Sequence, residues 1–190
     1  MHHRLYLPAL ILATLLSAVP LHAAEVAGVR VDDHIQVNGT HLQLNGAGLR
    51  TKFFFKVYVA ALYVVNRSNS STQLLDSREP SRMVLKMLRS VDADTLFQSL
   101  HEGLQANLSA SELSAIQTQT EQLGALMKQI GSTRIGDTLS IDLAPESVTV
   151  GYNGESRGTI RGGQLSRALL GIWLGEHPAE ASLKKALLGS

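Results

Sequence analysis

The stretch LNGAGLRTKFFFKVYVAALYVV, from Leu44 to Val65, is the most strongly patterned part of the chain. Its second half, Phe53 to Val65, is rich in β-branched and aromatic residues and reads as a buried strand. Such a strand needs neither the arginine at the head of the stretch, Arg50, nor the phenol in its middle, Tyr58. Alternate residues of a strand share a face. In one unbroken strand Arg50, Lys52, Phe54, Lys56 and Tyr58 would point one way, with Phe53, Phe55, Val57, Val59 and Ala61 pointing the other. At roughly 3.3 Å per residue, Arg50 and Tyr58 would then stand about 26 Å apart, too far for one small ligand. A turn near Thr51 to Phe54 would instead let them meet across a cleft. No Gly or Pro stands there to force a turn, so spacing leaves both arrangements open.

Upstream, Val29 to Leu44 reads as a hairpin. Asn38-Gly39 is a strong turn signal, because a type I′ turn needs positive φ at both central residues. Pairing around it sets Ile35 opposite Leu42 on an apolar face, and Gln36 opposite His41 and His34 opposite Gln43 on a polar one. Gly46-Ala47-Gly48 then interrupts the strand pattern. Downstream, Asn66 to Gln73 is a polar loop and Arg82 to Arg89 a further strand.

Two helices follow. Asp92 or Asp94 can cap the first, with Leu96, Phe97, Leu100 and Leu104 at helical spacing. Ser109-Ala110-Ser111-Glu112 is a capping box for the second. The inner stripe of that helix is Leu113, Ile116, Thr120, Leu123, Met127 and Ile130, and Gly131 stops it. Strands return at Thr138 to Leu143, Ser147 to Tyr152 and, past the turn Asn153-Gly154, Arg157 to Ile160. Gln164 to Leu174 is a strongly apolar helix, and Pro178 suits the first turn of a last helix through Leu188. Segregated runs of strands and helices indicate an α+β fold, an antiparallel sheet with helices against one face.

The hydrophobic content of 44% and charged content of 17% exclude a disordered or low-complexity chain. Residues 1–23 stand apart. A short basic start, Met1-His2-His3-Arg4, precedes an apolar run from Leu5 to Val19, and Pro20-Leu21-His22-Ala23 ends on a small residue. This is the pattern of a secretory signal peptide cleaved after Ala23 or Ala24. The run falls short of the roughly 20 residues that span a bilayer, and Pro8 interrupts it. With no cysteine in the chain, a lipoprotein anchor is excluded. Residues 24–190 then form one domain of an exported protein, periplasmic if the host is Gram-negative, with no stable membrane span after cleavage. Arg4 is the only charged residue in the leader. The remainder therefore balances 16 of the 17 basic residues against 16 acids, which argues against a nucleic-acid surface.

The segment GAGLRTKFFFKVYVAALYV, residues 46–64, resembles the chalcone isomerase-like family, above all its secreted bacterial branch. The segment LLGIWLGEHPAEASLKKALLG, residues 169–189, is similar to that family's C-terminal segment. The resemblance implies an open-faced β-sandwich, a large antiparallel sheet backed by a helical layer with a ligand cleft between them. It also implies that the strands flanking the arginine form a hairpin, which supplies the turn that spacing left open. In fatty-acid-binding members of the family the arginine and a strand tyrosine together hold a carboxylate. By resemblance these are Arg50 and Tyr58. True chalcone isomerases use the arginine to stabilise developing negative charge. Here Tyr58 replaces the threonine of the catalytic strand and Ile172-Trp173 replaces a Thr-Met pair. The Tyr, Lys and Asn of the catalytic helix have no counterparts between Asp92 and Gly103, so flavanone formation is not expected.

The chemistry suits an acid. A guanidinium is always charged and offers a planar fork to a carboxylate, while a phenol adds one directed donor. Apolar walls would take an acyl chain or an aromatic skeleton. Lys56 joins the candidate ligand-binding set as a rim charge and Trp173 as cleft lining. Their alternatives are a solvated lysine and a core tryptophan. His34 and His41, diagonal on one hairpin face, lack a fixed third ligand, so no metal site and no cofactor are expected. The leading reading is a non-catalytic protein binding a small amphipathic acid such as a fatty acid. One alternative is an isomerase or lyase acting on an enone or enolisable substrate, with Arg50 and Tyr58 as its catalytic pair. The other is an envelope interaction protein whose cleft is vestigial.

Overall fold

The computed structural model describes residues 23–190. The signal-peptide reading of residues 1–23 falls, but for Ala23, outside the described residues. In chain order the elements are β1 (Ala23–Val26), β2 (Val29–Asp32), β3 (His34–Val37), β4 (Thr40–Lys52), β5 (Phe55–Val64), α1 (Ser71–Asp76), β6 (Ser81–Met87), β7 (Val91–Asp92) and α2 (Ala93–Asn107). Then come α3 (Ala110–Ala115), α4 (Gln117–Ile130), β8 (Ser132–Thr133), β9 (Thr138–Ala144), β10 (Ser147–Tyr152), β11 (Glu155–Arg161), α5 (Gly163–Leu174) and α6 (Ala181–Leu187). Seven strands form one antiparallel sheet in the order β11-β10-β9-β6-β5-β4-β3. The architecture is α+β, an open-faced sandwich.

The helices cover one face of the sheet. Tyr58, Ala60, Leu62 and Val64 of β5, with Met83, Leu85 and Met87 of β6, pack there against Leu96, Leu100 and Leu104 of α2, Leu123 and Met127 of α4, and nearly all of α5. Over the other face lies the β1–β2 hairpin, which closes a smaller cluster of Val31, Val37, Leu42, Leu44, Val59, Ala61 and Tyr63. β5 is therefore buried on both sides, which is why its sequence is a continuous apolar run rather than an alternating one.

The local signals hold where the chain itself carries them. Asn38-Gly39 turns with φ of 48° and 82°, and β3 pairs with β4 in the expected register. Asp92 caps α2 by accepting from the Thr95 amide, and the capping box at Ser109 closes α3.

Five expectations need correction. Gly46-Ala47-Gly48 does not interrupt a strand, because β4 runs through it to Lys52 with a bulge near Asn45. The strand expected from Phe53 starts at Phe55, since Phe53 and Phe54 form the turn. Within the polar stretch Asn66 to Gln73, Ser70 caps a short helix, α1, that buries Leu74. The helix expected to run from the capping box to Gly131 breaks at Ile116. There the backbone leaves helical geometry so that Ile116 is buried while α3 buries nothing. Likewise Pro178 lies ahead of α6, whose N-cap is Glu180.

The glycines of β4 have a packing reason. Gly46, Gly48 and Arg50 pair with Leu62, Ala60 and Tyr58 respectively. They therefore share the helical face of the sheet, two residues apart. A Cβ on Gly46 would come within 2.1 Å of the Ala186 carbonyl oxygen, and one on Gly48 within 2.6 Å of the Ala186 Cβ. The bare strip lets α6 lie flush on β4, and this contact brings the residue at the head of α6 to Arg50.

Candidate functional site

The reversal at Phe53-Phe54 makes Arg50 and Tyr58 direct cross-strand partners. Such partners have Cβ atoms roughly 4.5–5.5 Å apart. The 26 Å separation of a straight strand does not arise, and both side chains face the helical layer.

Arg50 meets a residue that the sequence reading missed. Its Nη1 donates to Glu180 Oε2 at 3.1 Å and to the carbonyl oxygen of Thr51. Glu180 also accepts from the Thr51 amide at 2.8 Å, the Thr51 hydroxyl at 3.0 Å and the Ser182 hydroxyl at 2.7 Å. Partial burial acts to raise the Glu180 pKa. The hydrogen bonds from Thr51, Ser182 and Arg50 outweigh it and hold the carboxyl below its ordinary value. Both of these bonds run through Nη1, and the guanidinium also lies close enough to Tyr58 to act against the rise of its pKa. The one clue in the sequence was an acid just ahead of the last helix. Its partner lies 130 residues away, and nothing local announces such a pair.

Tyr58 is held from the other side. The indole Nε1–H of Trp173 donates to the Tyr58 hydroxyl oxygen at 3.2 Å. Burial raises the Tyr58 pKa, against the hydrogen bond from Trp173 and the charge of Arg50. The phenol therefore keeps its proton. With one lone pair engaged by Trp173, its O–H is the group left to donate.

Arg50, Tyr58 and Trp173 line a cavity of about 360 Å³ between the sheet and the helices. That lies within the roughly 300–1,000 Å³ of small-molecule sites. The inner wall is apolar, built from buried residues such as Leu85, Leu100, Leu123, Met127 and Ile172. The exposed rim carries Lys52, Phe53, Phe55, Arg89, Asp92 and Thr95. Of the residues singled out in the sequence, Arg50, Tyr58 and Trp173 converge on this cavity. Trp173 does two jobs, since it forms part of the wall and orients the phenol, and it leaves the hollow open. Lys56 does not join them. It is exposed at the start of β5 and outside the lining, because the turn sends it away from the cleft. His34 and His41 are exposed on the β3–β4 hairpin. No group of three or more His, Cys, Asp or Glu side chains converges among the described residues.

A family model described as chalcone isomerase-like matches residues 23–189. The chain belongs to the chalcone isomerase-like family. No curated protein sequence matches it. Among solved structures it is similar to an Arabidopsis thaliana fatty-acid binding protein, with a TM-score of 0.67 at 16% identity. The alignment covers 85% of this chain and 92% of that one. At that identity the likeness establishes the fold. The chalcone isomerase-like fold thus accounts for the cleft between sheet and helices. The cavity's chemistry comes from this chain's own Arg50, Tyr58, Trp173 and Glu180. No helix among the described residues is long and apolar enough to cross a membrane.

Proposed function

We propose that this chalcone isomerase-like protein is a non-catalytic carrier of a small amphipathic acid, with a fatty acid as the best-fitting class. The observation that carries this reading is the cross-strand pair Arg50 and Tyr58 at an otherwise apolar cavity. A carboxylate would take the guanidinium of Arg50 on the side away from Glu180 and the Tyr58 O–H, while the acyl chain lies along Leu85, Leu100 and Met127. The solved structure of a fatty-acid binding protein with the same fold supports the choice of ligand class. Glu180 tunes the site. By sharing Nη1 it keeps the arginine oriented in the absence of ligand, and it limits affinity by partly neutralising the charge the ligand seeks. We further propose that the protein acts outside the cytoplasm, on the strength of the N-terminal signal pattern. The mass of the protein recovered from its native host would reveal cleavage after Ala23 or Ala24.

The test of binding is titration with a fluorescent fatty acid. Arg50→Ala should weaken binding tenfold or more, about 1.5–3 kcal/mol for a lost charge-assisted hydrogen bond. Unchanged affinity in a folded variant would remove the reading. Turnover of chalcones or simple unsaturated ketones above the buffer rate would replace it with an isomerase or lyase.

A further inference from the structure

The four exposed large hydrophobic residues among the described residues are Phe53, Phe54, Phe55 and Ile135. All lie at one end of the sheet. Phe53 and Phe54 are the apex of the β4–β5 hairpin, and Phe55 opens β5. Ile135 sits in the loop ahead of β9, where the neighbouring Gly136 amide donates to the Met87 carbonyl at the end of β6, and Met87 pairs with Tyr58 near the start of β5. Phe53 is 79% exposed, Phe54 fully so and Phe55 59%. Isolated exposed apolar residues are ordinary, but three consecutive rings on one protruding turn are not.

The turn itself is unusual. Phe53 and Phe54 have φ of 49° and 70°, a conformation that bulky side chains rarely adopt. Where other hairpins of the sheet turn with positive φ, at Asn38-Gly39 and Asn153-Gly154, they use residues that suit it, and Pro145-Glu146 turns without it. This hairpin gives up that ease to carry two phenylalanines, and strain of this kind points to use at the strained residues.

The charge around the tip has one sign to spare. Lys52 and Lys56 flank the rings, and Arg89 stacks over Phe55 with its guanidinium 4.6 Å from the ring centre. Arg134 stands beside Ile135. None of these four cations forms an ion pair among the described residues. Against these four cations and Arg157 stand four acids, Asp92, Asp94, Asp137 and Glu155, three of them held by local contacts. Asp92 caps α2, Asp137 accepts from Tyr152, Asn153 and the Arg134 amide, and Glu155 pairs with Arg157.

We propose that this hairpin tip docks the protein on an anionic lipid bilayer. The rings enter the interface and the cations meet the head groups. Apolar rings such as phenylalanine bury at the headgroup–acyl boundary, and a basic cluster adds attraction to anionic lipid. A protein partner fits less well. Even fully covered, three rings at roughly 150–250 Å² each fall short of the roughly 800 Å² per partner of a stable complex. The tip is also the rim of the cavity, since Lys52, Phe53, Phe55 and Arg89 belong to both. Docking therefore turns the cavity mouth toward the bilayer. The proposal goes beyond the ligand reading and stands without it.

The test uses the full mature chain with sedimented vesicles of phosphatidylcholine, with and without phosphatidylglycerol. The wild type should bind the anionic vesicles at least tenfold more tightly than the zwitterionic ones, and the difference should fade with salt. The double variant Phe53→Asn, Phe54→Gly restores favourable turn residues. It should fold at least as stably while losing tenfold or more in partitioning. The chain has no cysteine, so Phe54→Cys carrying an environment-sensitive dye reports insertion directly and should shift blue on anionic vesicles. Equal binding by wild type and double variant, equal binding to both lipids, or no binding at all would each overturn the proposal. So would a dye that shifts only with added protein.

Discussion

Replacing Gly46 with alanine tests whether the bare strip of β4 is what seats the last helix and, through it, the arginine of the site. The new Cβ would stand 2.1 Å from the Ala186 carbonyl oxygen and 2.7 Å from that of Leu187. Carbon and carbonyl oxygen approach to roughly 3.3 Å even in close inter-strand contacts, so α6 must retreat by roughly 1 Å or more. Both obstacles are backbone, and no side-chain rotation relieves them. The retreat would also break the 2.7 Å hydrogen bond from Asn45 Nδ2 to the Leu187 carbonyl.

Leu183 and Leu187 are 1% and 0% exposed. Full burial of each contributes roughly 1.5–3 kcal/mol, so complete undocking costs about 3–6 kcal/mol. Alanine reduces unfolded-state entropy and returns roughly 0.5–1 kcal/mol. The expected net loss is about 2–5 kcal/mol, a large part of the roughly 5–15 kcal/mol that holds a domain folded. Urea unfolding followed by the fluorescence of Trp173, the only tryptophan, measures the loss. Amide exchange should show α6 opening before the sheet. Gly48→Ala meets a Leu183 methyl at 2.9 Å, which can rotate away, and the Ala186 Cβ at 2.6 Å, which moves only with the helix backbone; it needs a smaller retreat of α6 than Gly46→Ala and should cost less. A Gly46→Ala protein within roughly 0.5 kcal/mol of wild type, with α6 amides still protected, would refute the reasoning.

Two further predictions concern pH. The Glu180 carboxyl is held below its ordinary value of 4.5. Its contribution is therefore complete above that pH and lost as the pH falls through the lowered value. Glu180→Gln should flatten the fall in urea midpoint on acidification below pH 4.5; parallel curves for the two proteins would count against the Arg50–Thr51 anchor. At the alkaline end, burial and the charges of Asp32 and Asp33 push the Tyr63 pKa up to about 12. The folded state then holds a proton that the unfolded chain releases near pH 10, so stability falls as pH rises from 10 toward 12. Tyr63→Phe should lessen that slope, Tyr58 and Tyr152 still contributing to it, and should cost about 1 kcal/mol at neutral pH for the bond to the Asp32 carbonyl. Identical alkaline slopes would show that Tyr63 is not the group responsible.

The sequence by itself determined what a few neighbouring residues can enforce. Asn-Gly pairs set two hairpins, because these residues adopt the positive φ of such turns at little cost. Asp92 and the Ser109 box set helix starts, because their side chains satisfy amides two or three residues away. The spacing of Leu96, Leu100 and Leu104 set the buried stripe of α2. The two motif segments were enough to recognise the family, and with it the open-faced sheet. The tertiary structure decided everything that depended on a distant partner. Phe53-Phe54 turns without a turn residue because the pairing of β4 with β5 on either side imposes it. Gly46 and Gly48 looked like a break in a strand until α6 gave them something to make room for. Arg50 waits on Glu180 from 130 positions away, and Tyr58 on Trp173 from 115. Local signals act through the short reach of a side chain along its own backbone. A binding site is assembled from chain segments that meet only after the sheet and helices have packed, so its polar contacts leave almost no trace in the order of the residues.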